Sequence, residues 1–195
     1  MFVNWQLREV NLKIVYYGPA LSGKTTNLEQ IHDRIDPRKR SDLISLKTHE
    51  DRTLFFDFME LELVKISGLL PKIQLYTVPG QVYYEASRRI VLRGVDGIVF
   101  VADSNPDRLN DVLDSWKNMQ KNLSELGLSL ADMPLVVQLN KRDLPNAIHK
   151  STLTNLLHVN GHPVYEAIAY QGKGVGDTLK AIISSVLNSV QRELV

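Results

Sequence analysis

This sequence predicts an α/β fold: a mostly parallel central sheet with one antiparallel edge strand and helices on both faces. Three observations carry that prediction. Short apolar runs alternate with amphipathic stretches from one end of the chain to the other. Residues 97–102 and 135–139 are nearly unbroken apolar runs, the mark of strands covered on both faces. Residues 61–66 and 73–78 alternate with a period of two around Gly68 and Pro71, which reads as one antiparallel hairpin.

Each element follows from its residues. Residues 12–17 read as a buried strand that stops at Gly18, and 25–35 as a helix stopped by Asp36-Pro37. The polar stretch 38–52 has no assignable period. Residues 109–126 form a long helical pattern between the two apolar strands, and 164–169 read as the last strand. In 175–194, Leu179, Ile182, Ile183, Val186, Leu187 and Val190 recur at helical spacing. No linker, repeat or low-complexity segment divides the chain, so one domain over residues 1–195 is expected.

Composition narrows the function. The chain is 44% hydrophobic, which supplies a core, and its 23 basic and 22 acidic residues leave a net charge of +1. That balance gives no electrostatic footprint for nucleic acid. Without cysteine there is no thiolate catalysis, disulfide or Cys-based zinc site. The five histidines are scattered, and His158 and His162 flank an Asn160-Gly161 turn, so a metal site there is not expected. No stretch reads as a signal peptide or a membrane span. Phe2 is incompatible with myristoylation, and the ending Glu193-Leu194-Val195 has no prenylation site. A cytoplasmic protein with no direct membrane anchor is expected, brought to a membrane or a cell pole, if at all, by partners.

Gly18-Pro19-Ala20-Leu21-Ser22-Gly23-Lys24-Thr25 matches G-x-x-x-x-G-K-[ST] between a strand and a helix. Backbone N–H groups of such a loop and the following helix N-terminus cradle phosphate oxygens. Lys24 is placed to reach the β- and γ-phosphates and the Thr25 hydroxyl to meet Mg²⁺, with Thr26 beside it. This loop alone fits ATPases, nucleotide kinases and GTPases. Asn140-Lys141-Arg142-Asp143 follows the 135–139 strand and has the N-K-x-D form of a guanine site. One carboxylate accepts both guanine N1–H and N2–H, so Asp143 selects guanine over adenine. The Lys141 stem can lie along the base, and Asn140 can bond the base and brace the phosphate loop. A nucleotide kinase would need a lid and an acceptor pocket, which the sequence lacks.

With these motifs in order, the chain resembles the Ras-like small GTPases. Thr77-Val78-Pro79-Gly80-Gln81 stands where they carry D-x-x-G-Q. The resemblance is closer to the bacterial MglA branch, through residues 13–19, 52–58, 75–84 and 94–104. It implies a Ras-like G domain that binds GTP and GDP with Mg²⁺, hydrolyses GTP, and switches polarity or motility with a Roadblock-type, MglB-like activator. By this resemblance Gly80 senses the γ-phosphate, Gln81 orients the attacking water, and Arg52 is an intrinsic arginine finger. Thr53 is the switch I threonine that meets Mg²⁺, with Thr48 as its rival, inside a switch spanning 41–57. Ala169 offers its N–H to guanine O6, although Ile168 and Tyr170 replace the usual Ser and Lys.

Two departures matter. Thr77 replaces the aspartate behind Mg²⁺, as the MglA branch does, and Asp57 or Asp51 is a candidate to compensate. Ala20 replaces a glycine whose space the catalytic glutamine and arginine need, so slow intrinsic hydrolysis with intact binding is expected. In the extreme, the chain would be a GTP-loaded binding module that hardly turns over. Aromatic residues at Phe55, Phe56, Phe58, Tyr83 and Tyr84 divide between core packing and a nucleotide-dependent partner surface.

Overall fold

The structure is a computed structural model that describes residues 1–47, 53–66, 68–80, 85–159 and 161–193. Eight strands among them form one sheet: β1 (Phe2–Asn4), β2 (Glu9–Tyr17), β3 (Ile44–Lys47), β4 (Thr53–Glu62), β5 (Leu70–Thr77), β6 (Gly97–Asp103), β7 (Leu135–Asn140) and β8 (Val164–Glu166). The helices are α1 (Lys24–Arg34), α2 (Glu85–Leu92), α3 (Leu109–Glu125), α4 (Lys150–Leu156) and α5 (Val175–Glu193).

The sheet runs β3-β4-β5-β2-β6-β7-β8, and β1 pairs with the start of β2. From β5 to β8 every pairing is parallel. The sheet is therefore mostly parallel, but its antiparallel part exceeds the single edge strand expected from sequence. Both β3 and β4 form the antiparallel edge, and β1 is a third antiparallel strand. The hairpin also lies earlier than its alternation suggests. Its first strand covers Thr53–Glu62, and residues 63–65 fall outside it. A fully buried Asp57 interrupts the apolar pattern there, which hides the strand from a period-two reading.

Alternate residues of the central strands feed two cores. Leu12, Ile14 and Tyr16 of β2 pack with Leu28 and Ile31 of α1 and with Ile182 and Val186 of α5. Val15 and Tyr17 face the other side, with Leu92 of α2, Trp116 and Met119 of α3 and Leu153 of α4. Phe100 meets Trp116 edge-on at 4.8 Å. Covering both faces explains why β6 and β7 are buried along their whole lengths. It also leaves the carboxyl ends of β2, β6, β7 and β8 as one rim, where such sheets bind ligands.

Candidate nucleotide site

The loop after β2 carries the phosphate motif. Gly18 follows the strand, and its carbonyl and that of Pro19 accept hydrogen bonds from Lys24 Nζ at 3.0 and 2.7 Å. The Lys24 ammonium is buried, and that desolvation pushes its pKa down to about 7. Asp57 opposes the shift and Arg88 adds to it. Arg88 is a buried cation on α2 that donates to the Pro79 carbonyl; nothing in its sequence context singles it out. Leu21 is exposed and sits at φ +62°, a left-handed turn that costs a non-glycine residue of order 1 kcal/mol. Ser22 is buried, and its carbonyl faces β7. Gly23 sits at φ +99°, and a Cβ there would overlap Asn140 Nδ2, so only glycine allows the two motifs to meet.

Ala20 occupies the outer turn of the loop, and its carbonyl accepts a bond from Arg108 at 3.1 Å. Gly80 packs directly on it: a Cβ on Gly80 would overlap the Ala20 Cα and N. Gly80, three residues beyond the end of β5, therefore rests against the backbone of Ala20. Arg52, Gln81, Asp51 and Thr48 lie outside the described residues. Thr53 opens β4, with Lys47 as its backbone partner.

Thr25 and Thr26 begin α1. The Thr25 hydroxyl donates to Asp57 Oδ2 at 2.5 Å. The same oxygen accepts from the Thr77 hydroxyl at 2.8 Å, and Thr77 Oγ1 in turn accepts the Asp57 N–H at 2.8 Å. Ser45 of β3 donates to the other carboxylate oxygen. So of the two candidate aspartates, Asp57 is the one the described residues place beside Thr25 and Thr77. Its carboxylate comes from the neighbouring antiparallel strand, one rung beyond the Phe58–Tyr76 pair. Hydroxyl and carboxylate oxygens of this kind suit a small hard cation that keeps several waters.

The second motif closes the rim at the end of β7. Asn140 is buried, donates from Nδ2 to the Ser22 carbonyl at 2.8 Å, and accepts the Ala169 N–H on Oδ1 at 2.9 Å. The N–H expected at guanine O6 thus goes to Asn140, because the 3-10 turn Ala169–Gln171 brings it within reach of that side chain. Lys141 sits at φ +63° and its ammonium bonds the fully buried Asp103 at 2.5 Å. Arg142 donates to Glu166 and to the Ile148 carbonyl, which pins the turn to β8. Asp143 is exposed and has no partner among the described residues. Arg34, at the end of α1, donates to the Gly172 and Gln171 carbonyls and holds the Ala169 loop from below. Neither Arg34 nor Arg108 belongs to a recognisable motif, because each acts through backbone carbonyls far away in sequence.

A phosphate loop braced by an N-K-x-D turn, on a mixed α/β sheet with an antiparallel edge, defines the class of small guanine-nucleotide switches. Residues 1–186 match the ADP-ribosylation factor family, and the chain belongs to it. It is 49% identical, over 191 residues that cover 98% of each chain, to the mutual gliding-motility protein MglA of Myxococcus xanthus (strain DK1622). The chain is accordingly a GTP-binding protein with GTPase activity, and the resemblance to the MglA branch seen in its motifs is borne out. Among the described residues, no helix is long and apolar enough to cross a membrane.

Proposed function

We propose that this chain is one G domain over residues 1–195 that switches cell polarity or gliding motility by binding partners in its GTP state. The observation that carries the residue assignments is the bond from Asn140 to the Ser22 carbonyl, which joins the base turn to the phosphate loop. In this reading, Gly18, Ala20, Leu21, Ser22, Gly23, Lys24, Thr25 and Thr26 hold the phosphates, and Gly80 meets the γ-phosphate. Asn140, Lys141, Asp143 and the Ala169 loop hold guanine. Thr25 and Thr53 are the protein ligands of Mg²⁺, which neutralises charge on the phosphates when bound. Asp57 supplies from β4 the negative charge that Thr77 lacks, through its bond to Thr25. Gln81 orients the attacking water and Arg52 stabilises charge at the transferred phosphate.

A Roadblock-type activator is the proposed partner, and recruitment from the cytoplasm to a cell pole is assigned to partners that bind the GTP state. Support comes from the near full-length similarity to a protein named for gliding motility. Affinity capture on the protein loaded with GDP, and then with a non-hydrolysable GTP analogue, tests the switch. Partners retained only in the second state are expected; identical capture in both states rules it out.

The packing of Gly80 on the Ala20 backbone makes hydrolysis slow in this reading, since it brings the residue that carries the extra methyl against the segment that leads into Gln81. Ala20→Gly is expected to speed single-turnover hydrolysis about tenfold, equivalent to ~1.4 kcal/mol of barrier, with GTP affinity unchanged. An unaltered rate, with or without an activator, removes the steric account.

A further inference from the structure

Asn27 of α1, Gln138 of β7 and Thr178 of α5 are polar side chains that lie fully buried where the two helices pack on the sheet. Asn27 and Gln138 exchange a reciprocal pair of amide bonds at 2.8 and 2.9 Å. Asn27 Nδ2 also donates to the Gly23 carbonyl at 2.8 Å. Gln138 Nε2 also donates to Thr178 Oγ1 at 3.0 Å, and Thr178 donates to the Gly174 carbonyl at 2.8 Å. Both amides therefore use all their hydrogens. Such a network is costly to desolvate, and apolar side chains of similar volume serve stability equally well. Stability alone does not account for it.

Its position does. Gln138 lies two residues before Asn140 on β7, so both point to the same face. Asn140 holds the Ser22 carbonyl, and Gln138, through Asn27, holds the Gly23 carbonyl. The strand that ends in the base turn thus grips two successive peptides of the phosphate loop. Through Thr178 and Gly174 the same network reaches the segment that follows the Ala169 turn.

We propose that Asn27, Gln138 and Thr178 are positioning residues that fix the separation of the phosphate cradle and the guanine turn, so that one nucleotide meets both in register. The proposal rests on the assignment of Asn140–Asp143 as the guanine site. It predicts a loss that is selective for the base, not a general weakening. The double variant Asn27→Leu/Gln138→Met replaces both amides with apolar groups of similar size and so retains the fold. The measurement is the affinity for GDP relative to inosine diphosphate, which lacks the 2-amino group. That preference is expected to shrink about tenfold in the double variant, since misplacement on the ångström scale weakens contacts that depend on orientation. Thr178→Val, which removes the bond from Gln138 and the bond to the Gly174 carbonyl but keeps the Asn27–Gln138 pair, is expected to shrink it about threefold and carries the comparison if the double variant does not fold. A preference that is present in the unaltered protein, lost in Asp143→Asn and unchanged in these variants overturns the clamp alone. No preference in the unaltered protein overturns the guanine assignment and the clamp with it.

Discussion

Asp143→Asn is expected to weaken GDP and GTP by about 10²–10⁴-fold and to turn the site toward xanthine nucleotides. Asp143 is exposed, and no described residue occupies its carboxylate, so both oxygens are available to a base. The turn that carries it is held from two sides, by Lys141 on Asp103 and by Arg142 on Glu166 and Ile148. A carboxylate on such a turn accepts two guanine N–H groups, each bond to a charged acceptor contributing about 1.5–3 kcal/mol. An amide offers one acceptor and places an N–H where guanine also has one. Xanthine carries a carbonyl at that position and accepts the amide hydrogen. Competition binding with GDP and xanthosine diphosphate measures the exchange. Because the residue is exposed, the melting temperature should not move, which separates recognition from folding. Unchanged GDP affinity would take Asp143 out of the site.

Lys24→Met is expected to lower nucleotide affinity on the order of 10²–10³-fold, roughly 3–4 kcal/mol for a buried charge contact, while leaving the fold intact. The ammonium is enclosed by the Gly18 and Pro19 carbonyls, and burial pushes its pKa down to about 7. Phosphate oxygens favour the charged form and raise that value. Binding above pH 7 therefore takes up a proton, and affinity should fall by up to tenfold per pH unit until the bound-state pKa is reached. The sign for folding is opposite to that of a stabilising ion pair. A lysine whose folded pKa lies below its ordinary 10.5 leaves the unfolded chain with more protons bound between about 7 and 10.5. The fold itself should gain stability as pH rises through that window. Calorimetric titration of GDP in buffers of different ionisation enthalpy reads the proton directly. A proton count near zero at pH 8, or the same pH slope in the Met variant, would assign the effect elsewhere.

Much of the architecture was legible because its signals are local. The apolar runs at 97–102 and 135–139, the helix stops at Asp36-Pro37 and the helical spacing in 175–194 each depend on residues close in the chain. β6, β7 and α5 lie where those patterns place them. The edge was harder to read. β3, with only four residues, is too short for a period to show, and β4 carries a buried aspartate in place of an apolar residue. The short α2 and α4 likewise escape a periodicity reading.

By itself, the sequence determined the order and chemistry of the motifs: a glycine loop with Lys24 and Thr25 after the first central strand, then Asn140–Asp143 after a later one. Spacing within a motif is a property of a few consecutive residues, so no fold is needed to see it. Only the tertiary structure decided which distant groups complete them. Strand register set the Asp57 carboxylate against the hydroxyls of Thr25 and Thr77. The 3-10 turn gave the Ala169 N–H to Asn140. Packing of α1 and α5 on β7 joined Asn27, Gln138 and Thr178. A hydrogen bond has a reach of about 3 Å, and partners separated by tens of residues are brought within it only by the packed sheet and helices.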